Sequence, residues 1–107
     1  MIGKICGTGS YIPPKILSND DLSEMVETND KWIRERTGVR NRHIAEHETA
    51  SFMAAEAAKR ALENSGVSPE EIDLILVASS SPDVIFPSVA CEVQKEIQAV
   101  NAAGYDM

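Results

Sequence analysis

The sequence predicts an α/β fold with a parallel sheet, on three observations. Leu74-Ile75-Leu76-Val77-Ala78 is an apolar run without polar alternation; that is the pattern of a strand covered on both faces, and the run is too short for a core helix. Two stretches of helical periodicity, residues 49–65 and 88–99, flank it, and a second β-prone stretch follows at 102–107. Strand, helix and strand over 74–107 then require the right-handed crossover of a parallel pair.

The remaining elements follow in chain order. Residues 2–8 open as a β-prone run with Ile2, Ile5 and Cys6. Gly9-Ser10-Tyr11-Ile12-Pro13-Pro14 reads as a turn, because the proline pair cannot continue a ladder. Ser18 or Asn19 caps a short helix whose first turn carries Asp20 and Asp21, at the positive end of the dipole, with Leu22, Met25 and Val26 as its apolar stripe. A second short helix starts near Asn29 or Asp30, carries Trp32, Ile33 and Arg36, and stops at Gly38. The clearest helix, 49–65, places Met53, Ala54, Ala57, Ala58, Ala61 and Leu62 on one face. Glu56, Lys59, Arg60 and Glu63 lie on the other, and Gly66 ends the helix. Its alanine stripe predicts close packing on a sheet, and Glu56 four residues before Arg60 predicts an exposed ion pair. Ser68-Pro69-Glu70-Glu71 is a capping box with proline at the first helical position, which adds one further turn. Ser79-Ser80-Ser81-Pro82 breaks the apolar strand. The last helix has its stripe at Val89, Ala90, Val93, Ile97 and Val100.

The chain has 107 residues, the size of one domain, with 43% hydrophobic and 25% charged residues, a composition that argues against disorder. Its net charge of −7 speaks against non-specific nucleic-acid binding, which needs a basic footprint. No apolar run approaches a membrane span and no secretory signal is visible, so a cytoplasmic protein is expected. Cys6 and Cys91 show no Cys-x-x-Cys spacing and read as free thiols. Because the chain stops on an apolar residue inside a strand, the 107 residues are expected to be the first part of a larger α/β domain.

Several chemistries are excluded by motif. Gly7-Thr8-Gly9 has Ile12 where a dinucleotide fingerprint needs its third glycine, and no Gly-Lys-Ser/Thr is present. His43 and His47 are four apart with no third ligand nearby, so they read as structural and no metal is expected. Charge is more informative. Lys31, Arg34, Arg36, Arg40 and Arg42 against Glu35 give residues 31–43 a charge of +4, leaving −11 for the rest. Such a cluster around Trp32 fits an anion site in which the indole stacks on a base. It fits equally a solvated basic face with Trp32 as a core anchor. Cys91 would fall in the first turn of a helix, where the dipole favours a thiolate, but no histidine is close in sequence. A small packing cysteine is the plainer reading.

Gly7-Thr8-Gly9-Ser10-Tyr11-Ile12-Pro13, Thr28-Asn29-Asp30-Lys31-Trp32-Ile33, Arg36-Thr37-Gly38-Val39-Arg40 and Phe86-Pro87-Ser88-Val89-Ala90-Cys91 occur in this order. Together they resemble the β-ketoacyl-acyl-carrier-protein synthase III family over the whole chain. The resemblance implies a thiolase-like fold in αβαβα layers, of which residues 1–107 are part of the N-terminal half. It implies a homodimer that condenses acyl-coenzyme A, acetyl-coenzyme A for choice, with malonyl-acyl carrier protein. A cysteine carries the acyl group as a thioester, which divides one difficult step into two. Coenzyme A enters as part of the substrate, and no separate cofactor is implied. Carried over by position, Trp32 would stack on the adenine, and Thr28, Arg36 and Thr37 would line the coenzyme A entrance, with Arg36 suited to phosphates. Phe86 would border the acyl pocket across the dimer. Lys31 departs from the acidic residue usual beside the tryptophan, and Arg34 adds a charge, so a more basic entrance is expected. The nucleophilic cysteine is expected just after Met107, and Cys91 matches a non-catalytic family cysteine. No catalytic residue is therefore expected among the 107, and the segment alone is expected to be inactive. Two alternatives stand beside this: another thiolase-fold condensing enzyme with a different starter or product, and a non-catalytic coenzyme A-binding or dimer-forming fragment.

Overall fold

A computed structural model describes residues 2–107. They divide into two units: residues 2–11 with 48–107, and residues 12–47. The second unit holds strand β1 (Lys15–Ser18), helix α1 (Asn19–Ser23), helix α2 (Asp30–Thr37) and strand β2 (Asn41–Ile44). The first holds helix α3 (Ala50–Ser65), strand β3 (Leu74–Val77), helix α4 (Val89–Ile97) and strand β4 (Ala103–Asp106), with a single 3₁₀ turn at Pro69–Glu71.

Helix α3 forms where the alanine periodicity places it. Thr49 caps it, its hydroxyl accepting from the Phe52 amide at 3.1 Å. The two amides before that donate to one carboxylate: Ala50 N at 2.7 Å and Ser51 N at 2.8 Å, both to Asp83. Three of the four amides that a helix start leaves unpaired are thus satisfied by side chains. Ala54, Ala58 and Leu62 pack on a core of Val89, Val93, Ile97 and Ala99. Each fully buried valine or isoleucine there contributes about 1.5–3 kcal/mol. Small residues also permit a second close approach. A Cβ on Gly7 would lie 2.7 Å from Ser65 Cβ, and one on Gly9 would collide with the Ala57 carbonyl and the Ala61 nitrogen. The alanine stripe therefore meets α4 and the glycine-bearing segment 2–11, where a sheet was expected.

The strand–helix–strand unit is as the apolar run predicts. β3 and β4 are parallel, in a register that runs from Leu74 opposite Ala103 to Val77 opposite Asp106. Burial differs from expectation. Ile75 and Val77 face the core, while Leu74 and Leu76 are 51% and 57% exposed. α4 packs on β3 and β4, and an apolar groove of about 490 Å³, lined among others by Gly7, Ala58, Leu62, Ile75, Leu76 and Val93, opens between β3, α3 and the segment before it. Residues 2–8 form no strand, because no segment among the described residues pairs with them. α4 ends at Ile97, two residues early, with Gln98 left-handed at φ 60°, so Val100 turns outward and is 73% exposed. Glu56 pairs with Lys59 at 3.2 Å. Arg60 instead donates to the Ser10 carbonyl at 2.7 Å and lies over the Tyr11 ring.

The unit of residues 12–47 contains the elements least visible in sequence. β1 and β2 pair antiparallel, from Lys15 opposite Ile44 to Ser18 opposite Asn41. Each has four residues, too few for a reliable alternation. Ser18 is the cap of α1, in a reciprocal box with Asp21: the Asp21 amide donates to Ser18 Oγ at 3.1 Å and the Ser18 amide to Asp21 Oδ2 at 3.0 Å. α1 stops at Ser23, so Met25 and Val26 fall in the following turn and are exposed, contrary to their place in the predicted stripe. The buried residues here are Ile33 and Asn19.

Candidate functional site

Helix α2 carries most of the residues singled out in sequence. Asn29 caps it through an Oδ1 that accepts from the Trp32 amide at 2.8 Å. Gly38 closes it at φ 75°, a conformation that costs a side-chain-bearing residue about 1–2 kcal/mol. Ile33 points inward and is 7% exposed, which turns the neighbouring Trp32 out to 52% exposure. Arg36, one helical turn on from Trp32, sets its guanidinium carbon 4.8 Å from the indole centroid. Such a contact at an exposed site contributes about 0.5–1 kcal/mol and orients both groups. Trp32 is thus not a core anchor; it stands on the surface, backed by a cation.

Thr37 is placed differently from its neighbours. Its hydroxyl donates to the Ile33 carbonyl at 2.7 Å and accepts from the Val39 amide at 3.1 Å, so it fastens the end of the helix. Thr28 is half-buried one residue before the cap. The basic cluster also divides. Arg34 Nε donates to Asp30 Oδ2 at 2.6 Å. Arg42 is an interior fastener, its two terminal nitrogens donating to the Leu17 carbonyl at 3.1 Å and Asn19 Oδ1 at 2.6 Å. Lys31, Arg36 and Arg40 enter no ion pair among the described residues. Three cations of the +4 segment are thus outside ion pairs, fewer than its composition promised. Asp30 is held below the ordinary carboxylate range, first by the Asn19 carboxamide and then by Arg34.

Phe86 belongs to the other unit. It is 89% exposed beside Ile85 at 96%, on the connection between β3 and α4, and the Phe86–Pro87 bond is cis. Two carboxylates fix that connection. Asp83 binds the start of α3 as described and also accepts from Ser51 Oγ at 2.6 Å, and those bonds lower its pKa. Asp106, at the end of β4, accepts from the Val89 and Ala90 amides, each at 2.8 Å. Sequence reading missed both aspartates, since no local pattern joins an acidic residue to a helix start 32 or 17 positions away.

Cys91 is exposed in the first turn of α4, with its amide donating to Ser88 Oγ at 3.2 Å. The amides on which a thiolate there would draw are already taken by Ser88 and Asp106. Cys6 is exposed too. His43 Nδ1 lies 2.7 Å from the Pro13 carbonyl, a contact that joins β2 to the residues before β1. No helix is long and apolar enough to cross a membrane, and no three His, Cys, Asp or Glu side chains converge on one point among the described residues.

No protein-family model matches the chain. Individual proteins do. The chain is 54% identical over 104 residues to β-ketoacyl-[acyl-carrier-protein] synthase III of Clostridium acetobutylicum and 50% identical over 105 residues to that of Xanthomonas campestris. Each match takes in 97% of this chain and 32% of the relative, so the chain spans about a third of the length of the relatives it matches. Among solved structures, 3-oxoacyl-[acyl-carrier-protein] synthase III of Aquifex aeolicus superposes with a TM-score of 0.93 at 47% identity, over 97% of this chain and 34% of that one. The priming β-ketosynthase of the R1128 polyketide pathway superposes equally well, at 0.93 and 39% identity, over 97% and 31%. At this level of identity the chain is similar over nearly all of its length to about a third of a β-ketoacyl-[acyl-carrier-protein] synthase III, and it has the thiolase-like fold of the matching part.

Proposed function

We propose that residues 1–107 supply the coenzyme A entrance of a β-ketoacyl-acyl-carrier-protein synthase III. That enzyme would condense acyl-coenzyme A, acetyl-coenzyme A for choice, with malonyl-acyl carrier protein at the start of fatty-acid synthesis, as a cytoplasmic homodimer. The observation that carries this reading is the half-exposed indole of Trp32 with Arg36 at 4.8 Å. A guanidinium on an exposed indole prepares a stacking surface for a purine, and Arg36 at the ring, with Lys31 and Arg40 on and after the same helix, supplies charge for phosphates. Thr28 and Thr37 bound this surface at the two ends of α2. In this reading the acyl group rides on a cysteine outside these residues, and Cys91 keeps a structural role in keeping with its engaged helix start. Phe86, exposed and held by the Asp83 and Asp106 clamps, is the residue a second copy would receive beside its acyl pocket.

A chimera tests the reading. These 107 residues would replace the matching third of the Clostridium acetobutylicum synthase, and the product would be assayed with acetyl-coenzyme A and malonyl-acyl carrier protein. Condensation is expected from the chimera and none from the 107 residues alone; turnover by the segment alone would overturn the placement of the nucleophile. Cys91→Ser in the chimera should leave the acyl-enzyme intact by mass spectrometry. A second reading, a condensing enzyme that primes another product, has the R1128 ketosynthase superposition in its favour. A screen of starter thioesters on a form of the protein that carries the proposed nucleophile would separate the two.

A further inference from the structure

Asn19 is 2% exposed, the one buried polar side chain among the described residues, and both donors and the oxygen of its carboxamide are engaged. Nδ2 donates to Asp30 Oδ1 and to the Val39 carbonyl, both at 2.8 Å. Oδ1 accepts from Arg42 Nη2 at 2.6 Å, and the backbone amide donates to the Arg40 carbonyl at 3.0 Å. The orientation is fixed by its partners: turned over, the carboxamide would set its oxygen against two oxygens and its NH₂ against a guanidinium. Asp30 is the first residue of α2, and Val39 follows the left-handed Gly38 that ends it. One amide group therefore grips α2 at its beginning and just beyond its end, while Arg42 anchors that group to β1 through Leu17.

We propose that Asn19 is the positioning residue for the α2 ligand surface, tying both ends of the helix so that Trp32 and Arg36 are held ready for a nucleotide of the coenzyme A kind. This rests on the coenzyme A reading above and adds to it the group that pre-organises the site. Asn19 touches no ligand; it acts through α2. In a unit with so little buried apolar surface, the helix has no large core to hold it, and the carboxamide does that work instead. Loosening it would populate conformers in which Trp32 and Arg36 no longer stack, and apparent affinity falls by the fraction that remains competent.

The chain's single tryptophan makes the test direct. Trp32 fluorescence anisotropy, amide hydrogen exchange over 30–38 and 50–65, and calorimetric titration with coenzyme A would be measured on the 107-residue chain. The variants are N19D, which reverses both donors at constant shape, and N19D with D30N, which restores a donor–acceptor pair between the two positions. N19D should lower Trp32 anisotropy, speed exchange across α2 while sparing α3, and raise the coenzyme A dissociation constant about tenfold, as expected if about a tenth of the population stays competent. The double variant should recover part of all three. Unchanged anisotropy and affinity in N19D would overturn the proposal, as would a double variant no better than the single one. If N19D unfolds residues 12–47 altogether, recovery in the double variant decides the matter by the same criterion. If the parent chain does not bind coenzyme A, the reading of the site fails. The fastening of α2 is then judged on anisotropy and exchange alone, and falls if N19D leaves them as they were.

Discussion

The two units of the chain are held together by different physics. Residues 48–107 are organised by apolar contact: Val89, Val93, Ile97 and Ala99 are buried and receive the alanine face of α3. Residues 12–47 bury Ile33 and Asn19, and their order comes from directed bonds among Asn19, Asp30, Arg34 and Arg42. The apolar unit rests chiefly on its core, with Asp83 and Asp106 fastening the starts of its two helices. The polar unit, which carries the candidate ligand surface, depends on donors and acceptors being where they are. A binding helix need not be supported by a large core if its ends are tied.

The largest expected effect breaks the apolar unit. Ile97→Ala removes a side chain that is 8% exposed at the end of the α4 stripe. It should cost about 2–4 kcal/mol, the range for large-to-small core changes that leave a cavity. Urea unfolding followed by amide exchange should show the loss in α3 and α4; a change under about 0.5 kcal/mol would mean that the site collapses around the gap. Gly9→Val tests the same unit by overpacking, since its Cβ meets α3 backbone. A cost of about 1–3 kcal/mol is expected, with the same readout.

Function should break on the other side. Trp32→Ala is expected to weaken coenzyme A binding by about 1–3 kcal/mol, the range for loss of base–aromatic stacking. The unfolding midpoint should barely move, because the side chain is half exposed. An unchanged dissociation constant would remove Trp32 from the site. Acid separates the units less sharply. Asp30 and Asp83 are both held below their ordinary range, Asp30 chiefly by Asn19 and Asp83 chiefly by Ser51. A carboxyl whose folded pKa is depressed stabilises the fold fully above its unfolded value and loses that contribution as pH falls through the folded one. Stability should therefore decline below about pH 4 in both units. Asp83→Asn should flatten the decline for the start of α3 alone, read by amide exchange at Ala50 and Ser51.

What the sequence made legible follows the same division. The two long helices announced themselves through apolar periodicity, and Asn29 at the start of α2 and Gly38 and Gly66 at helix ends lie where local chemistry needs them. The β3–α4–β4 unit was legible from one apolar run. β1 and β2 were not, because four-residue strands pair across more than twenty positions and their side chains carry little alternation. Residues 2–8 erred in the opposite sense, with strand-like composition and no partner to pair with. At the site, Trp32 and Arg36 were legible as members of one basic cluster on one helix, and their contact with each other was not. The basic cluster was over-read, since composition cannot tell an arginine that meets solvent from Arg42, which meets Leu17 and Asn19. Asn19 itself gave no more signal than a candidate cap, because its role lies in where three distant groups converge.

The smallest expected effect sharpens the comparison from the apolar side. Gln98 closes α4 in the left-handed region at φ 60° and ψ 37°, the one non-glycine residue with positive φ among the described residues. Its amide donates to the Gln94 and Lys95 carbonyls, so the backbone conformation has a purpose, while the side chain is exposed. Glycine would adopt the same conformation without the Cβ penalty, as it does at Gly38 and Gly66. The penalty is about 1–2 kcal/mol, offset in part by the greater freedom glycine brings to the unfolded chain. Gln98→Gly should then raise stability by up to about 1 kcal/mol, with no change in Trp32 anisotropy. A loss of stability would mean that the Gln98 side chain contributes more to the end of α4 than its exposure suggests. A response at Trp32 would mean that the substitution acts beyond the end of α4.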